Sequence, residues 1–339
     1  MKKSYLFILI IALIICAAYF SKERIVLKII RLNAKKALPI SKLEIKNLKF
    51  NPLKGLELHG VSIKSGLQRY SIYLEDLRIG YTLVSLLKGQ INKVELSGMN
   101  ISIAEGIKVN PGKPILKIKE IKASGSIKFQ DYNIKNFNAA LFSTSVQNKF
   151  KGNFQAENII AQKIELSNLD MALEFSGDAL SIPEFKVSAF EGEIKGSCMA
   201  NLSSAGVKFS ADITGKGIDL AKLDEDFNLK EKFEVTGLCD FYLKAKGNQK
   251  GLTELSGDLT AHEGGGKFII TDKDTLNRLN VSQEINLDAA LEGIKNYRYD
   301  TGLARIYIED GNIVVRMFMD GALGKRDLTV VLHDGLKLK

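Results

Sequence analysis

The residues best suited to acid–base or metal chemistry are His59, His262 and His333, and they stand far apart in the sequence. None sits in a motif with metal-ligand spacing, and Cys16, Cys198 and Cys239 form no C-x-x-C pair. There is no G-x-S-x-G elbow to present a nucleophilic serine. Gly215-Lys216-Gly217 lacks the third glycine and the βαβ setting of a dinucleotide site. Gly264-Gly265-Gly266-Lys267 runs into Phe268 where a phosphate loop needs Ser or Thr, so the run reads as a hairpin turn or bulge. Tyr297, Tyr299 and Asp300 could mark a site, but a tyrosine-bearing strand ending in a turn explains them as well. Asn201-Leu202-Ser203 and Asn280-Val281-Ser282 match glycosylation sequons by chance in what reads as a bacterial chain. The expectation is a protein without catalytic residues, cofactor or metal. Cys198 and Cys239 are left either as one disulfide in an oxidising compartment or as two buried thiols on strands.

If side chains do not carry chemistry here, the elements must carry the function, and the first of these is the N-terminus. Tyr5 to Phe20 contains no charge and follows Lys2 and Lys3. As a helix these sixteen residues span about 24 Å, a little short of the roughly 30 Å hydrocarbon core of a bilayer. Cys16-Ala17-Ala18 followed by bulky Tyr19 and Phe20 is a poor cleavage site, and Ile15 spoils a lipoprotein-type one. The segment therefore reads as a retained transmembrane anchor over residues 1–20 rather than a cleaved signal, and either reading exports the rest of the chain.

Residues 21–38 place Ile25, Val26, Ile29, Ile30, Leu32 and Ala37 along one helical stripe, with Lys28, Arg31, Lys35 and Lys36 among the basic residues around it. That is the pattern of a basic amphipathic helix lying at a membrane surface, and Pro39 stops it. A surface helix packed on its own domain is the alternative.

Charge is graded along the chain. Residues 1–38 carry eight Lys/Arg against one acid, residues 39–130 fifteen against seven, and residues 131–339 twenty-five against thirty-one, within a net charge of +9. Nucleic-acid binding would want a focused basic face interleaved with aromatics, so no nucleic-acid partner is expected. The gradient points to anionic lipid head groups beside the anchor. Lys2 and Lys3 favour a cytoplasmic N-terminus, while the +5 of residues 21–38 opposes it.

From Ser41 onward apolar residues alternate with Lys, Asn, Ser or Glu, as in strand after strand. The alternation repeatedly changes phase: Leu43 and Ile45 give way to Leu48 and Phe50, Leu56 and Leu58 to Val61 and Ile63, and Val94 and Leu96 to Met99, Ile101 and Ile103. Such a slip is what a bulge or tight turn does to a strand whose one face stays apolar. Eighteen to twenty short, mostly antiparallel strands are expected. Short helical turns are expected at 81–87, 218–226, 274–279 and 287–294.

The order of these features resembles AsmA-like proteins. The resemblance rests on the anchor, Arg24-Ile25, the basic helix, Leu43-Glu44-Ile45, Asn51-Pro52-Leu53, Gly55 to Ile63, Leu83 to Gly89 and Val94 to Ile101, and toward the C-terminus on Leu255 to Leu259, residues 264–266, Tyr297 to Asp300 and strands around Gly311. Residues 130–215 match only as generic repeating strands, and the chain is much shorter than the family's bridge-forming members. The resemblance implies a bacterial inner-membrane protein, single-pass, whose C-terminal body projects into the periplasm as a long twisted antiparallel β-sheet curled into an apolar groove. It implies that such a body binds or conducts phospholipid between inner and outer membranes. The domains expected are the anchor (1–20), the basic helix (21–38), an N-terminal AsmA-like β region (39–130) and a repeating-strand and C-terminal region (131–339). Val94, Leu96, Ile101, Ile103, Ile127 and Phe129 are the expected groove residues, and Lys28, Arg31, Lys35 and Lys36 the expected membrane-surface residues. Membrane phospholipids are the expected partners, with envelope proteins beside them. A structural or assembly factor acting through protein contacts, without lipid in its sheet, is the alternative, and a hydrolase with an unrecognised site is a third.

Overall fold

The computed structural model describes residues 23–30, 40–65, 70–103, 117–144, 149–203, 206–227, 233–271 and 296–332. The expected anchor, Arg31, Lys35 and Lys36, and the helical turns expected at 274–279 and 287–294 lie outside the described residues. The chain divides into two compact units, residues 1–145 and 146–339. Residues 130 and 131, at the expected boundary, lie in the turn between two paired strands of the first unit.

In the first unit a helix over residues 23–30 (α1) precedes β1 (Ile40–Asn51), β2 (Gly55–Ser65), β3 (Tyr70–Gly80), α2 (Leu83–Leu87), β4 (Gln90–Ile103), β5 (Lys117–Phe129) and β6 (Tyr132–Ser143). The six strands pair in sequence order. The turn from β1 to β2 is closed by Asn51, whose Oδ1 accepts from the Leu53 backbone N–H at 3.0 Å, the local bond that makes asparagine a turn former. α2 is a five-residue helix started by a reciprocal cap: Thr82 Oγ1 accepts from the Ser85 N–H at 3.1 Å, and Ser85 Oγ accepts from the Thr82 N–H at 2.8 Å.

The second unit holds β7 (Lys149–Ala161), β8 (Ile164–Ser176), β9 (Ala179–Ala189), β10 (Gly192–Ser203), β11 (Gly206–Asp219), α3 (Leu220–Phe227), β12 (Phe233–Val235), β13 (Leu238–Asn248), β14 (Gly251–Ala261), β15 (Gly266–Ile270), β16 (Asn296–Tyr299), β17 (Thr301–Glu309), β18 (Asn312–Asp320) and β19 (Arg326–Leu332). Ten of these strands form a sheet in the order β7-β8-β9-β10-β11-β13-β14-β17-β18-β19, and β12, β15 and β16 form a second, three-stranded sheet. The glycine run at 264–266 lies where the chain leaves β14 of the large sheet for β15 of the small one. Asp219 Oδ1 accepts from the Ala221 N–H at 2.8 Å and so starts α3.

The nineteen strands among the described residues fall within the expected number, but most of them are not short: β2 has 11 residues and β4 has 14. The phase slips lie inside strands as bulges instead of between strands as turns. Within each unit, pairing among the described residues is antiparallel except between β4 and β5, which run parallel with Val94 beside Ile121, Ile101 beside Ile127 and Ile103 beside Phe129. The helical turns expected at 81–87 and 218–226 are α2 and α3.

Candidate functional site

Each unit presents one apolar sheet face, and the bulges keep it continuous. In β1 to β4 the rows Leu48–Leu58–Leu77–Leu96 and Leu43–Ile63–Ile72–Ile101 lie on opposite sides of the phase slip. A period of two would turn the second row to solvent. Gly98 prevents that in β4 with φ of 58°, and Asn136 and Asn168 take φ of 51° and 54° in β6 and β8. These are left-handed conformations, open to glycine and tolerated by asparagine. Leu96 and Met99, on either side of Gly98, consequently pack against the same buried cluster of Leu48, Leu58, Val61 and Leu74.

The other face carries charged residues, with apolar exceptions such as buried Val314 opposite Tyr307 and Val331. Its cross-strand ion pairs include Lys151–Glu174 at 2.5 Å and Lys246–Glu254 at 2.6 Å, each directly opposite in register. Exposed pairs of this kind contribute little stability. Glu193, hydrogen-bonded by Lys186 and then by Lys195, has its carboxyl held down at about 2.

The apolar face is covered only in places. In the first unit Val26, Leu27 and Ile30 of α1 pack on the Leu48–Leu58–Val61–Leu74 cluster. This differs from the single membrane-facing stripe expected of this helix. Three of its apolar residues turn to the sheet, while Ile25 and Ile29 stay 53% and 51% exposed, one turn apart, beside exposed Lys28. In the second unit α3 covers Ile218 and Cys239, both fully buried with Leu220. The small sheet adds the cluster of Phe268, Ile270, Tyr297, Tyr299 and Met319.

Away from these covers many inward apolar side chains are half-buried, although Phe137, in the row of Met99 and Gly125, and Val187, opposite Ile194, are buried. The structure brings Val94, Leu96, Ile101, Ile103, Ile127 and Phe129 to one face of the first unit, and all six are partly exposed. A face closed by a second layer would bury nearly all of them. In the second unit a cavity of about 210 Å³ lies between α3, the small sheet and the inward residues of β14, β17, β18 and β19, and its lining is almost wholly apolar. Sequence reasoning missed this cavity, because β12, β15 and β16 are 3, 5 and 4 residues long and too short to show a period.

Of the polar residues singled out in the sequence, those among the described residues have partners within the fold. His59 pairs with the Asp76 carboxylate across β2 and β3, with Arg78 3.7 Å from Asp76. His262 Nε2 lies 2.7 Å from Asp240 Oδ1, which also accepts from the Gly217 N–H at 2.8 Å. That backbone bond first, and then His262, holds the Asp240 carboxyl below the usual range. His333 lies outside the described residues. Tyr297 and Tyr299 are core residues whose hydroxyls donate to the Gly324 carbonyl at 2.5 Å and the Thr236 carbonyl at 2.7 Å, and burial pushes the Tyr299 phenol up to about 12. Cys198 and Cys239 are both free thiols. They sit on β10 and β13 with β11 between them, Cys198 opposite Ala211 and Cys239 opposite Ile218, so the disulfide alternative is replaced by two separate thiols. Burial pushes the Cys239 thiol up to about 12. Among the described residues no three His, Cys, Asp or Glu side chains stand together as a metal-binding group.

Comparison with known proteins returns no matching family model, no similar characterised protein and no similar solved structure.

Proposed function

We propose that this is a non-enzymatic, membrane-anchored envelope protein of the AsmA-like type, whose sheet curls into a groove that binds or conducts phospholipid between the inner and outer bacterial membranes. The observation that carries the reading is the half-buried apolar face. An apolar sheet surface left in water is unfavourable by about 25 cal/mol per Å², and alkyl chains satisfy it without a second protein layer. The charged anchor-proximal segment, with Lys28 exposed on α1, supports attachment to anionic lipid. The body then lies in the periplasm behind a single-pass anchor, and acyl chains move along the rows of Leu, Ile and Phe.

A photoreactive side chain in place of Ile101, in the full chain expressed in a Gram-negative host, tests this. Irradiation is expected to crosslink phospholipid at position 101, and native mass spectrometry is expected to find the same lipid co-purifying. Crosslinks to protein alone, with no lipid mass, would favour the assembly-factor alternative.

A further inference from the structure

The apolar cavity of the second unit adjoins a polar cleft of about 460 Å³, and the two share Gly302, Leu303 and Met319 as lining. The cleft is lined by Lys325, Arg326, Asp320 and Asp327 together with Thr301 and Phe318. Asp327 is occupied: both its oxygens accept from Arg316, at 3.2 and 2.7 Å. No carboxylate partner is found for Lys325 or Arg326 among the described residues, and Asp320 is the one other acid on the cleft.

Arg326 is placed unusually for a cation. It stands directly opposite Met319 in the β18–β19 register, so its side chain leaves on the apolar face of the sheet. Its guanidinium lies 5.3 Å from the Tyr297 ring centre, Nη1 donates to the Lys325 carbonyl at 3.1 Å, and Nε is buried without a partner. A buried donor left unsatisfied is costly, and a guanidinium is shaped to take a carboxylate or phosphate through two adjacent N–H groups. On the other side of Met319 the lining becomes hydrocarbon, including Met317 and Ala304. An apolar cavity of roughly 150 Å³ already holds benzene in preference to water, and thioether side chains adapt to an alkyl chain.

We propose that the second unit holds a discrete site for a single alkyl chain with an anionic head group, the chain in the cavity beside Ala304, Met317 and Met319 and the head at Arg326 and Lys325. The site rests on the lipid-binding reading and adds to it a preference for negative charge and a defined resting place for one chain end.

The test uses the full chain held in amphipol and dodecyl phosphate carrying a diazirine near its methyl end, with a diazirine dodecanol as the neutral probe. Labelled peptides are read by mass spectrometry. Label is expected on the segments around Ala304 and Met317. Ala304→Phe fills the cavity and is expected to reduce that label at least about fivefold without lowering the melting temperature. Ala304→Leu, a smaller filling, does the same if the phenylalanine variant melts early. Arg326→Gln is expected to weaken labelling by dodecyl phosphate about tenfold and to leave dodecanol labelling unchanged. Inorganic phosphate is expected not to compete. Label that ignores both Ala304 variants, equal effects of Arg326→Gln on the two probes, or displacement by inorganic phosphate alone would each overturn the site. Lipid crosslinking at position 101, measured in the same preparation, separates the two readings. If it persists while the cavity label ignores Ala304, only this site falls. If neither position labels, the lipid reading falls with it.

Discussion

Asp240 shows how a polar residue beside an apolar face serves the backbone. Its carboxylate receives the Gly217 N–H and the His262 ring together, and so ties the bulge of β11 to the end of β14 through β13. Because its folded-state pKa lies below the ordinary value, this stabilisation is present above about pH 4 and is lost as the pH falls through the folded value. Asp240→Asn is expected to lower stability by about 1 kcal/mol at pH 7, small because the pair is solvent-accessible. Urea unfolding repeated near pH 3 is expected to show the gap to wild type narrowing, and a gap independent of pH would mean the charge contributes nothing. The partnership of His262 with Asp240 was not legible in the sequence, because the two are 22 residues apart and are brought together only by the β13–β14 register. Arg326 was illegible for the same reason: its position on the apolar face follows from pairing with Met319, not from its neighbours in the chain.

Among the elements, the bulged strands were the most legible. A phase slip between Leu96 and Met99 in the sequence became one residue, Gly98, at φ of 58°, because both halves of β4 must face the same core. The parallel pairing of β4 with β5 could not be read, since alternation is the same in either direction and only the connection decides it. The small sheet was hidden by the brevity of its strands. In the sequence the α1 helix is marked by its charge and its place after the uncharged run of residues 5–20, whereas the sheet selects Val26, Leu27 and Ile30 by packing. The bulges themselves are testable by comparing two glycines. A Cβ at Gly217, φ 63°, meets nothing within 4 Å, while one at Gly98 would stand 2.5 Å from the Glu75 Cβ. Gly217→Ala therefore bears only the left-handed backbone cost of about 1–2 kcal/mol. Gly98→Ala must also displace Glu75 on β3, and its urea midpoint is expected to fall further. Equal losses would mean that Glu75 yields freely and that the two bulges are held by backbone conformation alone.

At the scale of the molecule, two arrangements of an apolar sheet face can be told apart by what a charge does to it. Where a second protein layer closes the face, a carboxylate introduced there is buried without a partner and costs several kcal/mol, a large share of a domain's roughly 5–15 kcal/mol of stability. Where the face is left for a mobile apolar ligand, the same carboxylate remains hydrated and the loss is confined to the apolar contact removed. Ile103 and Phe129 suit this comparison, since they are adjacent in the β4–β5 register, half-buried, and outside the cluster that α1 covers. Ile103→Asp and Phe129→Asp are each expected to cost about 1 kcal/mol by urea unfolding, the value of a partly exposed apolar side chain, and to leave the circular dichroism of the sheet unchanged. Lipid crosslinking at position 101 is expected to be lost in both, because a fixed negative charge beside Ile101 disfavours the alkyl chain that would lie there. Leu58→Asp serves as the contrast: Leu58 is 4% exposed beneath α1, and its substitution is expected to unfold the first unit. Should Ile103→Asp and Phe129→Asp unfold the protein as Leu58→Asp does, the face is a closed core and the conduit reading is lost. Should they fold and still crosslink lipid, the chain's path across the sheet does not run over β4 and β5.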